Sequence, residues 1–264
     1  MTSTAADERF LSDAARYAAY LGTPEGRLRL DLAFANLQEF LPQIRPSLRA
    51  LDLGCGTGNL GIRLAQLGFQ VTLMDPSEPM LDTARRAAQE AGVTDRIAQQ
   101  KGDASRVTDF EANSFDVVLC HNVLEFVGDP GVVLHSAARL LRRSSGILSV
   151  LVRNQPGEVL KAALVNGDLT AAENTLGTDS GDESLYGGRV RLFRAKALRA
   201  LLEDASLQMV AERGVRVVSD YLPASVSRTD EYDRIFELER KLGAQPEFAA
   251  IARYTHCIAR AHVD

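Results

Sequence analysis

Tryptophan is absent from the 264 residues, and lysine nearly so: of thirty basic residues only Lys101, Lys161, Lys196 and Lys241 are lysine, the other twenty-six being arginine. Arginine suits a two-pronged grip on phosphate or carboxylate, although genomic base usage produces the same skew. Cysteine is scarce too. Cys55, Cys120 and Cys257 are odd in number, far apart and outside any Cys-x-x-Cys or Cys/His spacing. That excludes a disulfide framework and a zinc site, no metal is expected, and packed reduced thiols are the plainer reading. No window approaches the roughly 18 unbroken apolar residues a membrane span needs, and Met1 to Phe10 has neither a basic n-region nor an apolar h-region. A cytoplasmic protein with no membrane partner is expected. Net positive charge is also lacking, since the formal charge is −5, which argues against sequence-blind nucleic-acid binding without excluding a local basic face. Internal repeats and low-complexity tracts are missing as well.

What the chain has is 45% apolar residues, enough for one substantial core, so one α/β domain with insertions is expected. Its organising stretch is Leu48-Arg49-Ala50-Leu51-Asp52-Leu53-Gly54-Cys55-Gly56-Thr57-Gly58-Asn59. An apolar run that reads as a buried strand breaks into three alternate glycines and opens an amphipathic segment over Asn59 to Gln66. Glycine there permits φ > 0 and lets a ligand lie against the main chain, while a helix N-terminus offers free N–H groups.

Around that stretch, strands and helices alternate. Strands are predicted over Gln70 to Asp75, Arg96 to Lys101, Phe115 to Cys120 and Gly146 to Val152. Between them, Ser77 caps a helix carrying Met80, Leu81, Ala84 and Ala88 that stops at Gly92, and Asp129-Pro130 opens one with Val133, Ala137, Leu140 and Leu141 on one face. Such alternation means a parallel sheet with right-handed crossovers and a ligand at the strands' carboxyl ends. Residues 8–41 read as helical, with a Gly/Pro turn at Gly22 to Gly26. Helices are expected near Gly157 to Val165, Arg194 to Asp204 and Thr229 to Leu242, and closing strands over Val210 to Ser219 and Tyr254 to Ala259. The polar stretch Gly177 to Ser184 reads as a mobile loop. The fold class is therefore Rossmann-like α/β: a mostly parallel seven-stranded sheet with helices on both faces. Residues 1–45 form an N-terminal helical cap, and residues 46–264 a nucleotide-binding domain with insertions at about 153–192 and 220–250.

Two cofactors compete for the glycine loop. Gly56-Thr57-Gly58-Asn59-Leu60-Gly61 satisfies GxGxxG, a weak sign of a dinucleotide. Asp52-Leu53-Gly54-Cys55-Gly56-Thr57-Gly58 also gives the acidic-x-Gly-x-Gly-x-Gly pattern of S-adenosylmethionine (SAM) methyltransferases, and context favours SAM. Asp75, ending the second strand, is placed for ribose hydroxyls, and Asp103, after the third, for an adenine amino group. Asp52 and Asp103 also suit plain turn-forming roles. His121 borders the same cleft as a base, a cofactor contact or a satisfied turn residue. No Asn-Pro-Pro-Tyr or Asp-Pro-Pro-Tyr follows the fourth strand, where the chain reads Cys120-His121-Asn122-Val123-Leu124-Glu125-Phe126, which counts against amino-methylating DNA enzymes.

The whole chain resembles the tRNA 5-carboxymethoxyuridine methyltransferase family of class I SAM enzymes. The likeness runs from Tyr20 to Arg29 through the glycine loop, Asp75 and His121 to Pro130. Beyond the cofactor fold it reaches Gly214-Val215-Arg216-Val217, Asp220-Tyr221-Leu222, Glu237-Leu238-Glu239 and Arg253-Tyr254-Thr255-His256. The resemblance implies cofactor contacts at Arg29, Gly54, Cys55, Asp75, Ala104, Ser105 and His121, with Arg29 reaching the methionine carboxylate. Asp52, Gly56, Gly58, Pro76, Met80 and Asp103 complete the candidate set. It also implies that the acceptor is the carboxylate of a modified wobble uridine in a tRNA anticodon stem-loop, which becomes a methyl ester. A carboxylate is ionised near neutral pH and needs no general base. Arg153, Arg216, Tyr221 and Tyr254 are the candidates for orienting it, and Arg27, Arg189, Arg191, Arg194 and Arg216 for a basic face toward RNA. A small-molecule metabolite acid is the alternative acceptor.

Overall fold

The computed structural model describes residues 14–107, 109–143, 145–183 and 187–261. Among these the strands, in chain order, are β1 (Arg49–Leu53), β2 (Gln70–Asp75), β3 (Ile97–Lys101), β4 (Val117–His121), β5 (Ile147–Arg153), β6 (Ser180–Asp182), β7 (Arg189–Arg191), β8 (Leu207–Val215) and β9 (Tyr254–Ala261). Seven of them form one sheet in the order β3-β2-β1-β4-β5-β9-β8. The first five run parallel, and β9 pairs antiparallel with both β5 and β8. This is the Rossmann-like, mostly parallel seven-stranded sheet expected from the alternation of apolar runs and amphipathic segments.

The described helices are α1 (Ala14–Leu21), α2 (Pro24–Gln38), α3 (Asn59–Gln66), α4 (Glu78–Glu90), α5 (Pro130–Leu140), α6 (Gln155–Leu160), α7 (Leu169–Leu176), α8 (Ala195–Asp204), α9 (Tyr232–Gly243) and α10 (Pro246–Ala249). Side-chain caps set several starts: Thr23 accepts from the Gly26 N–H, Ser77 from Met80 and Asp129 from Gly131. In each case proline follows at the first or second helical position, where its missing N–H costs nothing. Both faces of the central strands are covered, so β4 reads as an unbroken apolar run rather than an alternating one. Val118 and Cys120 pack with Val133, Leu134, Leu140, Leu198 and Leu202 on one side. Val117 and Leu119 pack with Leu60, Leu64, Ala84 and Ala88 on the other. A third cluster joins Leu28 and Leu32 of α2 to Leu151, Val215, Ile235 and Tyr254 over the carboxyl end of the sheet.

Three sequence expectations need correction. The helical run over residues 8–41 ends at Gln38 rather than 41 and is divided, as the Gly/Pro turn predicts, where Thr23 caps a new start at Pro24; residues 8–13 lie outside the described residues. The segment expected as a mobile loop over 177–184 carries β6, which pairs with β7 as a short hairpin; Ser184 lies outside the described residues. Its glycine and acidic residues hid a structure closed by the Glu183 N–H on the Gly188 carbonyl at 2.8 Å and the Leu192 N–H on the Asp179 carbonyl at 2.8 Å. The strand expected over 210–219 starts three residues earlier and stops at Val215. There Arg216 turns into the left-handed region at φ 61°, and the buried Glu239 carboxylate accepts from the N–H groups of Val217 (2.5 Å), Val218 (3.0 Å) and Ser219 (2.7 Å).

Candidate functional site

At the carboxyl ends of the parallel strands lies a cavity of about 400 Å³. Its outer end is built from the glycine loop. Gly54, Gly56 and Gly58 all have positive φ (64°, 53° and 76°). A Cβ at Gly54 would lie 2.5 Å from Val123 Cγ2, and one at Gly56 would lie 3.0 Å from Tyr17 Cε1, so the backbone itself forms the wall. Asp75 ties the loop in place: Oδ2 accepts from the Gly56 N–H at 2.8 Å and Oδ1 from the Ser77 N–H at 2.9 Å. Burial nevertheless holds the Asp75 carboxyl above its ordinary range. Asp52, buried beneath the loop, is pushed up to about 7 by burial and by Asp75, against the opposing Gly61 N–H. Burial and the same two carboxylates push the Cys55 thiol up, so it is no nucleophile at neutral pH.

The middle of the cavity is set by the end of β4. His121 Nε2 lies 2.7 Å from Ser149 Oγ, which lies 2.7 Å from His256 Nε2; Asn36 Nδ2 is 3.4 Å from His256 Nδ1. Burial, then His256 and Arg29, hold His121 well below its ordinary value, and burial and Arg213 bring His256 from 6.5 to about 3. Both rings are therefore neutral, and His121 Nδ1 is buried without a hydrogen-bond partner among the described residues. Asn122, next in sequence, is left-handed at φ 54°, as asparagine tolerates. Its side-chain oxygen accepts from Arg29 Nη1 at 3.0 Å while its amide donates to Glu125 Oε1 at 3.0 Å. Arg29 also donates to the Tyr17 hydroxyl at 3.0 Å and stacks within 6 Å of the Tyr17, Tyr20 and Tyr254 rings.

The inner end is a network of arginines and carboxylates around Tyr254. Arg216 Nε donates to Asp220 Oδ1 at 2.8 Å and Nη1 to the Tyr20 hydroxyl at 3.1 Å. Arg253 lies 2.9 Å from Asp220 Oδ2 and 3.0 Å from Glu158 Oε2. Arg153 pairs with Glu183 and, at 3.8 Å, with Glu158. Burial would raise the Tyr254 phenol, but Arg29, Arg216, Arg153 and Arg253 reverse this and bring it down to about 8.

Most of the sequence-derived candidates converge. Arg29, Gly54, Gly56, Asp75, Pro76, Met80, Asp103, Ala104, Ser105, His121, Arg153, Arg216 and Tyr254 line the cavity, while Asp52 and Cys55 line a small recess beside it. Gly58 caps α3 against Ala84 and Leu73 instead. Tyr221 stands outside the lining, its hydroxyl directed to the Gly157 carbonyl at 3.4 Å. The expected basic face loses Arg216, which is buried, and Arg27 lies over the Tyr232 ring. Arg189 and Arg194 pair loosely with Asp182 and Asp179, and Arg191 grips the Val127 and Gly128 carbonyls at the rim. Sequence reasoning missed Tyr17, Tyr20, Asn122, Lys161, Glu183, Asp220 and Arg253. Arg253 adjoins Tyr254 in a stretch already singled out, a signal that could have found it; nothing local marks Lys161 or Glu183.

Known proteins agree with this architecture. Residues 51–150 match a methyltransferase-domain family. The chain is 19% identical to a chain of the complex between the Haloferax volcanii Trm112 methyltransferase activator and a methyltransferase, at a TM-score of 0.64 and 95% coverage of both, a likeness of fold alone. It is 35% identical over 148 residues to a ubiquinone biosynthesis O-methyltransferase of Caulobacter sp. (strain K31), covering 56% of this chain and 58% of that one. It is 33% identical over 245 residues to the tRNA 5-carboxymethoxyuridine methyltransferase of Escherichia coli (strain K12), covering 90% of each chain. At 33% identity over nine-tenths of both chains, this SAM-dependent methyltransferase belongs to the tRNA 5-carboxymethoxyuridine methyltransferase family.

Proposed function

We propose that the protein methylates the carboxylate of 5-carboxymethoxyuridine at the wobble position of tRNA, giving the methyl ester. The observation that carries this reading is the convergence of Arg153, Lys161, Arg216 and Arg253 with Tyr254 at the inner end of the cavity. That wall suits an anionic acceptor, and the E. coli relative supplies its identity.

The residues present fit SAM at the other end. Glycines leave room against the backbone where a Cβ would collide, Asp75 and Asp103 suit ribose hydroxyls and an adenine amino group, and Pro76, Met80, Ala104 and Ser105 flank them. Arg29 is a buried cation with only neutral partners, Asn122 and Tyr17, and suits the methionine carboxylate. His121 Nδ1, buried and unpartnered, is available to the same ligand. When bound, SAM supplies a methyl carbon on a positively charged sulfur that departs as a neutral thioether. An acceptor carboxylate oxygen attacks that carbon with no proton to remove, so the chain's work is orientation and exclusion of water. Well-oriented reactants can gain roughly 7–11 kcal/mol this way. Arg191 at the rim, with Arg189 and Arg194 on the hairpin side, offers phosphate contacts to an anticodon stem-loop, and such a substrate puts the protein in the cytoplasm.

A small-molecule acid is the second reading, favoured by Glu183, which enters the cavity from the hairpin and narrows its inner end. The experiment that separates them is mass spectrometry of tRNA nucleosides from cells with and without the protein, paired with methylation of purified tRNA. Loss of the uridine methyl ester in vivo and its formation in vitro are expected. Unchanged nucleosides, with no transfer to tRNA carrying 5-carboxymethoxyuridine, would leave only the small-acid reading.

A further inference from the structure

Five cations line the cavity: Arg29, Arg153, Lys161, Arg216 and Arg253. Three already hold carboxylates. Arg153 has Glu183 and Glu158, Arg216 has Asp220, and Arg253 has Glu158 and Asp220. A buried guanidinium so paired gives up its partner only at substantial cost. Arg29 has Asn122 and tyrosines but no carboxylate among the described residues. The Lys161 ammonium has neither a hydrogen bond nor an ion pair among the described residues.

Two cations without carboxylates face a reaction that brings in two: one on the methionine end of SAM and one on the acceptor. Arg29, on α2, lines the same recess as Gly54, His121 and Asn122, and is suited to the first. Lys161 lines the cavity within electrostatic reach of Arg253, Glu158, Arg153 and Tyr254. Burial, with Arg253 and Arg153 nearby, draws its ammonium below the ordinary range, only partly offset by Glu158. It is thus a cation that gains from a mobile anion.

Lys161 sits where two helical forms meet. It opens a single π turn, Lys161–Val165, directly after α6, closed by the Asn166 N–H on the Lys161 carbonyl at 3.1 Å. Such turns occur mostly as one-turn bulges in helices, often at functional sites. The start of α6 is rigid: Asn154 Nδ2 donates to the Ala250 and Ala252 carbonyls at 3.0 and 2.8 Å, and Gln155 Nε2 to those of Thr175 and Leu176 at 2.7 and 3.1 Å. The extra residue falls after Lys161, so the direction of the lysine is set by the anchored start of α6, and its side chain lines the cavity.

We infer that Lys161 is the ion-pair partner of the acceptor carboxylate and thereby selects an acid acceptor over its neutral ester. This rests on the proposed methylation of a carboxylate. The arginines around Tyr254 then form a pre-neutralised wall that shapes the subsite, while the lysine supplies the free charge.

The test compares wild type with Lys161→Met and Lys161→Arg on purified tRNA carrying 5-carboxymethoxyuridine, alongside binding of that tRNA and of its methyl-ester product. Loss of one charge-assisted hydrogen bond corresponds to about 10- to 100-fold. Lys161→Met is expected to raise the acceptor KM by that factor, to leave SAM affinity within twofold, and to bind acid and ester tRNA equally. Lys161→Arg is expected to restore the preference for the acid. A merely structural lysine would not move the acid-to-ester ratio. If wild type transfers methyl groups and Lys161→Met keeps both KM and that ratio, the lysine assignment is wrong while the proposed function stands. If wild type transfers nothing to this tRNA, both fall together.

Discussion

The two ends of the cavity are made by different means. At the outer end the contacts are short in sequence and use backbone: Asp75 reaches Gly56 nineteen residues away and Ser77 two residues away, accepting main-chain N–H groups at both. At the inner end the contacts are between side chains far apart. Arg216 meets Tyr20 across 196 residues, and Arg153 meets Glu183 from a separate hairpin. A compact turn gathers its residues locally, whereas the inner network is assembled from α1, β5, the hairpin, the turn after β8 and the start of β9.

The sharpest way to break this contrast is to put a side chain on the loop. Gly54→Ala places a Cβ against Val123 at a φ of 64°, combining left-handed strain with overlap. SAM affinity, measured calorimetrically, is expected to fall at least about 100-fold. An affinity within threefold of wild type would show that nothing needs the bare backbone there.

Between the ends lie the paired histidines. His256 is about 3 in the fold against 6.5 unfolded, and His121 is lowered in the same direction. A depressed base contributes stability that is present above pH 6.5 and is lost as pH falls toward 3. His256 adds about 1.4 kcal/mol per pH unit across that window, and His121 acts in the same direction. Denaturant titrations from pH 7 to pH 4 are expected to show this slope, and His256→Gln to flatten it by about one proton. A slope unaltered by that change would mean the ring is not buried neutral.

The smallest effect belongs to the support behind the inner end. Glu239 collects three consecutive N–H groups just after Arg216. Glu239→Gln exchanges one acceptor oxygen for a donor facing them. The expected result is an acceptor KM raised about 3- to 10-fold with SAM binding unchanged, which steady-state kinetics would read. A matching loss of SAM affinity would erase the distinction between the two ends.

How much was legible in the sequence follows the same division. The strand, the three glycines and Asp75 were readable because a tight turn imposes its residue types locally. The Gly/Pro turn that opens α2 was readable for the same reason, whereas the 180–191 hairpin was not, since polar composition conceals it. Arg153, Arg216 and Tyr254 were found as candidates only through their placement in a resembling chain. Glu183, Asp220 and Lys161 carry no local mark, because their meaning is the charge they face, and that charge comes from residues brought together by the closing strands β8 and β9. Tyr221 was nominated through the same resemblance, yet the short turn over Ser219–Tyr221 aims it at Gly157.

The run from Asn36 to His121 is also directional. An amide nitrogen can only donate, so His256 Nδ1 accepts from Asn36 and its own proton sits on Nε2. That proton points at Ser149, whose hydroxyl hydrogen must then point at His121 Nε2. His121 is thereby left with its hydrogen on Nδ1, a one-way polarity imposed from helix α2 that makes the ring a donor, never an acceptor, toward whatever it meets.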